Sequence, residues 1–203
     1  MSNDIKIRVD DFLVGDFSKP KATHKQAAKA LSYFEENNIK YYLACVLDYT
    51  TEDDIKFIQK ELPNAVPLYH GNQHNFDRWN LPKNSIGWRN DFQGRSLPYL
   101  QTKIKEFKDR FSYSNIMGIV APFNSFSQDI LDIIVQHNFS IACTGPETKN
   151  LPSQKNLNFH NLKVYHSEGI YYSFKETVAS TIHRIDTMPE NYLMCYHLLE
   201  IKC

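Results

Sequence analysis

The chain has 203 residues, with 23 basic and 23 acidic side chains and a formal net charge of zero. One domain of that length buries a core without disulfide staples, so we read residues 1–203 as a single catalytic domain. The balanced charge lacks the basic excess that marks a nucleic-acid binder. No apolar run approaches the ~18 residues of a membrane span. Met1-Ser2-Asn3-Asp4 shows no secretory signal, and Cys45, Cys143, Cys195 and Cys203 form no C-x-x-C pair. The expectation is a reduced, cytoplasmic protein with no nucleic-acid partner and no membrane span.

Ile5-Lys6-Ile7-Arg8-Val9 alternates and is β-branched, so it reads as a strand running into Asp10-Asp11. From His24 to Asn38, Ala27, Leu31 and Phe34 recur at helical spacing. Tyr41 to Leu47 is a continuous apolar run, as expected of a strand covered on both faces. Thr50-Thr51 and Asp53-Asp54 supply caps and first-turn acids for a helix carrying Ile55, Ile58 and Leu62. Ala65 to Tyr69 is a third strand that delivers His70 at its C-terminal end.

The stretch from Gly71 to Ser96 is long, polar and aromatic, and carries both Trp79 and Trp88. A loop of this length in a compact domain is usually functional. Ser96 caps the next helix, whose buried stripe is Leu100, Ile104, Phe107 and Phe111. Ile116 to Val120 reads as a strand followed by Ala121-Pro122-Phe123-Asn124. Ser125 and Gln128 read as a capping box for a helix with Ile130, Leu131 and Ile134. Strands are expected at Phe139 to Cys143, Leu162 to Tyr165, Ile170 to Tyr172 and Tyr192 to Ile201, with a helix over 175–185.

This alternation argues for a parallel sheet with helical crossovers. No G-x-G-x-x-G or G-x-x-x-x-G-K-S/T run supports the nucleotide-binding version. Asp10, Asp11, His70, Pro122 and Phe123 fall at strand ends, and His197 lies within the final strand; in a barrel those ends form the functional rim. The chain is shorter than the ~250 residues of an eight-fold barrel. The expected fold is therefore an irregular α/β barrel, a (β/α) barrel with fewer than eight strands.

Asp, His and His from two strand ends form a mixed oxygen and nitrogen set suited to Zn²⁺ or another borderline divalent metal. Adjacent carboxylates after a strand point in different directions, so one can bind metal while the other acts as a base. The series Val9-Asp10-Asp11-Phe12, His70-Gly71-Asn72-Gln73-His74, Ala121-Pro122-Phe123-Asn124 and the late His197 resembles the polysaccharide deacetylase superfamily, the NodB-homology proteins of carbohydrate esterase family four. It is similar above all to the branch with H-G-x-x-H and P-P-x-N motifs.

That resemblance implies a metal-dependent carbohydrate N-deacetylase acting on an N-acetylated sugar or oligosaccharide. Asp11, His70 and His74 would hold one divalent metal, Zn²⁺ first and Co²⁺, Ni²⁺ or Mn²⁺ as alternatives. Asp10 would be the general base and His197 the general acid. Pro122, Phe123 and Asn124 would line the substrate and oxyanion side, with Arg95 and Trp88 contributed by the long loop. The usual third motif begins with an arginine that orients the catalytic Asp; Val120 stands there, which leaves Arg89 or Arg95 to substitute. His166 and His183 rival His197 as the acid. Two other readings stay open: a degenerate relative that binds carbohydrate or a partner without turnover, and a metal-dependent hydrolase of another amide or a phosphoester.

Overall fold

The computed structural model describes residues 5–12, 22–72, 96–122, 126–145, 157–167 and 187–197. Seven strands among them close into a barrel in chain order: β1 (Ile7–Asp10), β2 (Tyr41–Cys45), β3 (Ala65–Tyr69), β4 (Gly118–Val120), β5 (Ile141–Thr144), β6 (Lys163–Ser167) and β7 (Tyr192–His197). Every neighbouring pair is parallel, and β1 closes the ring by pairing with both β2 and β7. The expected barrel of fewer than eight strands is the observed fold.

The described helices are α1 (His24–Glu36), α2 (Glu52–Glu61), α3 (Leu97–Arg110) and α4 (Gln128–Gln136). Among the described residues, no helix is long and apolar enough to cross a membrane. Helix α1 starts at a Thr23–Gln26 capping box and α2 at a Thr51–Asp54 box, each satisfying two N-terminal N–H groups. Their buried stripes are the ones the periodicity marks: Ala27, Leu31 and Phe34 on α1, Ile55 and Ile58 on α2. His24 bonds Asp54 at 2.7 Å and stacks on Phe57, which ties the two helices together.

Side chains alternate across each strand, and here the alternation sorts them into two layers. Ile7, Val9, Leu43, Tyr69, Ile119 and Met194 face outward and pack with the stripes of the helices. Tyr42, Ala44, Leu68, Val120, Cys143 and Tyr165 form a separate inner cluster. The inner layer is tight at Gly118. A Cβ there would lie 2.8 Å from Ile141 Cβ and 2.9 Å from Leu68 Cδ2, so only glycine lets β3, β4 and β5 approach this closely.

Several boundaries differ from expectation. Strand β2 stops at Cys45, and Leu47–Tyr49 forms a 3₁₀ turn pinned to the next loop by Leu47 N–H to Gly71 O and Asp48 N–H to Asn72 O. Helix α4 starts later than a Ser125–Gln128 capping box requires. The N-cap of α4 is Ser127, which makes Gln128 the first helical residue rather than the third. Gln128 instead bonds Asp132 and the backbone of Asn158. The expected strand at 170–172 and helix at 175–185 lie outside the described residues, as does the part of the last strand beyond His197.

Candidate functional site

Strand β1 carries two charged residues on its inward face. Arg8 and Asp10 alternate with the outward Ile7 and Val9, and all four are buried. One guanidinium nitrogen of Arg8, Nη2, donates to Asp10 Oδ2 at 2.7 Å. On the closing ladder Arg8 lies opposite Cys195 of β7. The Cys195 thiol donates to the same Asp10 Oδ2 at 3.0 Å, and Arg8 Nη2 also reaches Cys195 Sγ at 3.4 Å. Burial works against the Arg8 charge, but Asp10, Cys195 and Cys143 together outweigh it and raise the proton affinity of the guanidinium. Burial pushes the Cys143 thiol up to about 12 and raises Cys195 well above its ordinary value.

Immediately after the strand, Asp11 takes a left-handed backbone with φ 55°. Non-glycine residues adopt this region at a cost in strain, which functional sites tolerate. Its carboxylate reaches His70, with Oδ1 3.3 Å from Nε2. His70 follows β3, and its backbone N–H continues the ladder to Cys45 O at 2.9 Å. Gly71 then turns the chain with φ 77°. The other ring nitrogen, Nδ1, lies 2.9 Å from the Val120 carbonyl at the end of β4. A carbonyl only accepts, so Nδ1 carries the hydrogen. In the neutral ring the Nε2 lone pair therefore faces the Asp11 carboxylate. Burial opposes a charge on His70, yet the Asp11 hydrogen bond, the Asp10 and Asp11 charges and the Val120 carbonyl together raise its proton affinity.

Of the sequence-derived site residues, Asp10, Asp11 and His70 thus meet at one mouth of the barrel. Pro122 is buried just past β4. His197 is the Cα partner of Asp10 at the end of β7, and its side chain is not among those described. His74, Trp88, Arg95, Phe123 and Asn124 lie outside the described residues, as do Trp79, Arg89 and His183. His166 sits on the face of β6 opposite the inward Tyr165, with Thr144 Oγ1 3.1 Å from its Nδ1; burial lowers its proton affinity. Among the described residues, no group of three or more His, Cys, Asp or Glu side chains is placed to hold a metal ion.

Two members of the cluster carry no site role in the sequence reading: Arg8, which belongs to the charged patch Arg8-Val9-Asp10-Asp11, and Cys195. The Arg8 signal was available, since an arginine two residues before an aspartate on a buried strand shares its face. Cys195 had none, because its place depends on which strand closes the ring.

No family model matches the chain, and no curated protein matches it. Among solved structures, KGPDC from Streptococcus mutans, a 3-keto-L-gulonate-6-phosphate decarboxylase, is similar at 11% identity with a TM-score of 0.46. The match covers 95% of this chain and 86% of that one. These findings correct the resemblance to polysaccharide deacetylases. No family model carries it, and the described residues assemble no three-ligand metal group. The N-deacetylase activity, the zinc hydrolase class and the two alternatives that leaned on the same kinship are withdrawn with it. The physical reason is that the motifs are runs of a few residues at strand ends. Any parallel barrel gathers polar side chains at that rim.

Proposed function

We propose that the protein is an enzyme whose active centre is the barrel mouth beyond β1 and β3, where Asp11 and His70 hold one divalent cation beside Asp10. The observation that carries this is the facing of His70 Nε2 and Asp11 Oδ1 across 3.3 Å while Nδ1 is anchored on Val120 O. Two electron-pair donors turned on each other repel unless a positive species, a proton on Nε2 or a metal cation, lies between them. Anchoring the second ring nitrogen on a carbonyl is the usual way a ligating histidine is oriented. A hard or borderline cation suits one carboxylate and one imidazole, with its remaining positions left to water and substrate.

Such a cation would act as a Lewis acid towards an oxygen of the substrate, which is then a carbonyl, carboxylate or phosphate compound. The chain's own residues do the rest. Asp10, whose Oδ2 is held by Arg8, would accept a proton at the mouth. The apolar inner layer below, with Ala44, Leu68 and Val120, keeps the floor of the site dry. This dryness strengthens every charge interaction above it.

Equilibrium dialysis against cobalt or manganese tests the reading. One ion per chain is expected, lost in both His70→Ala and Asp11→Asn. A folded protein that takes up neither metal, or takes it up equally well in both variants, overturns it.

A further inference from the structure

We propose that Cys195 and Arg8 are positioning residues that clamp the Asp10 carboxylate by one oxygen and so fix its direction at the barrel mouth. This rests on the reading of that mouth as an active centre. The geometry is specific. Arg8 Nη2 and Cys195 Sγ both donate to Oδ2, at 2.7 and 3.0 Å, from two strands that are Cα partners at this level. A carboxylate held on one oxygen from two directions cannot turn about its Cβ–Cγ bond, so Oδ1 keeps a fixed bearing. His70 feels the Asp10 charge, so that bearing reaches the cation site.

Stability alone does not account for the arrangement. Arg8 is 1% exposed, and among the described residues its Nε and Nη1 have no hydrogen-bond partner. A guanidinium buried with donors unsatisfied is destabilising compared with an apolar side chain of similar volume. Its presence inside the barrel is explained by what it does to Asp10. The thiol fits the same role. It is small enough for the inner layer, and burial keeps it a protonated donor rather than a second anion beside the carboxylate.

Infrared spectroscopy of the S–H stretch reads the clamp directly, because that band lies clear of other protein absorptions. The Cys195 band is identified by its loss in Cys195→Ala. It is expected at lower frequency than a non-bonded thiol, and it should move up in Asp10→Asn. Cobalt affinity should fall in Cys195→Ala, by less than the roughly tenfold typical of partners bonded to a ligand itself, and Cys195→Ser, which keeps a donor, should restore it. A Cys195 band that ignores Asp10→Asn, or a serine variant as weak as the alanine one, overturns the clamp. The infrared measurement needs no cation. A protein that shows the band shift but binds no cobalt retains the clamp and loses the proposed function; the reverse pattern does the opposite.

Discussion

The two faces of the barrel wall follow different rules. The outer face is mostly apolar and meets the stripes of α1 to α4, with Phe107 touching Tyr69, Phe111 and Phe139. The inner face carries the apolar cluster around Tyr42, Leu68 and Tyr165, then turns polar towards the mouth with Arg8, Asp10 and His70. The outer face is what folding requires. Among the described residues, the inner face departs from that requirement towards one end of the barrel, from Arg8 to the mouth. Such local conflict between stability and composition is expected of functional sites.

Substitutions on each face should break this contrast in different ways. The largest effect is expected for Asp10→Ala, which strands the buried Arg8 charge and should cost about 3–5 kcal/mol in urea unfolding. Pairing it with Arg8→Met should recover much of that stability while leaving the mouth without the proposed base. A double variant no more stable than the single one would mean that the pair is not the dominant cost. Phe107→Ala on the outer face should also cost about 3–5 kcal/mol through its cavity. In contrast, it should leave cobalt binding intact in the folded protein.

Gly118→Ala should cost about 1–3 kcal/mol, because the new methyl meets Ile141 and Leu68 and overpacks the inner layer. An unchanged thermal midpoint would show that β4 can shift to make room. Thr51→Ala removes the side-chain half of the α2 capping box and should cost about 1 kcal/mol.

A separate effect concerns alkaline pH. The folded Cys143 thiol sits at about 12 against 9.0 for the ordinary group, mainly through burial. The unfolded chain therefore loses this proton first. The group's contribution is complete below pH 9 and fades as pH rises towards 12. Urea midpoints should decline over that window less steeply in Cys143→Ala than in the parent. Identical slopes would remove Cys143 from the account.

Much of the fold was legible because it is written in local periodicity. The stripe Ala27-Leu31-Phe34 and the strand Ala65–Tyr69 were read from spacing alone and are found as read. The Ser125–Gln128 box was misread because S-x-x-Q marks a cap only when the helix starts right after the serine, and packing starts α4 at Gln128. The site was legible in part. Asp10, Asp11 and His70 were placed at strand ends by sequence, but the arginine beside Asp10 was sought in the distant loop at Arg89 or Arg95. Arg8 on the same strand holds it. The family reading failed for a related reason, since short motifs record residue types and order but not the side chains that surround them.

By itself, the sequence determined which segments are strands and helices, which side of each is apolar, and that acidic and imidazole groups leave the strands at one end. These are properties of neighbours along the chain, fixed by backbone geometry at 3.6- and 2-residue periods. Only the tertiary structure decided that seven strands close with β7 against β1. That closure brings Cys195 to Asp10 across 185 positions. It also sets Asp11 against His70. Such pairings depend on strand register and ring size, which no local pattern encodes.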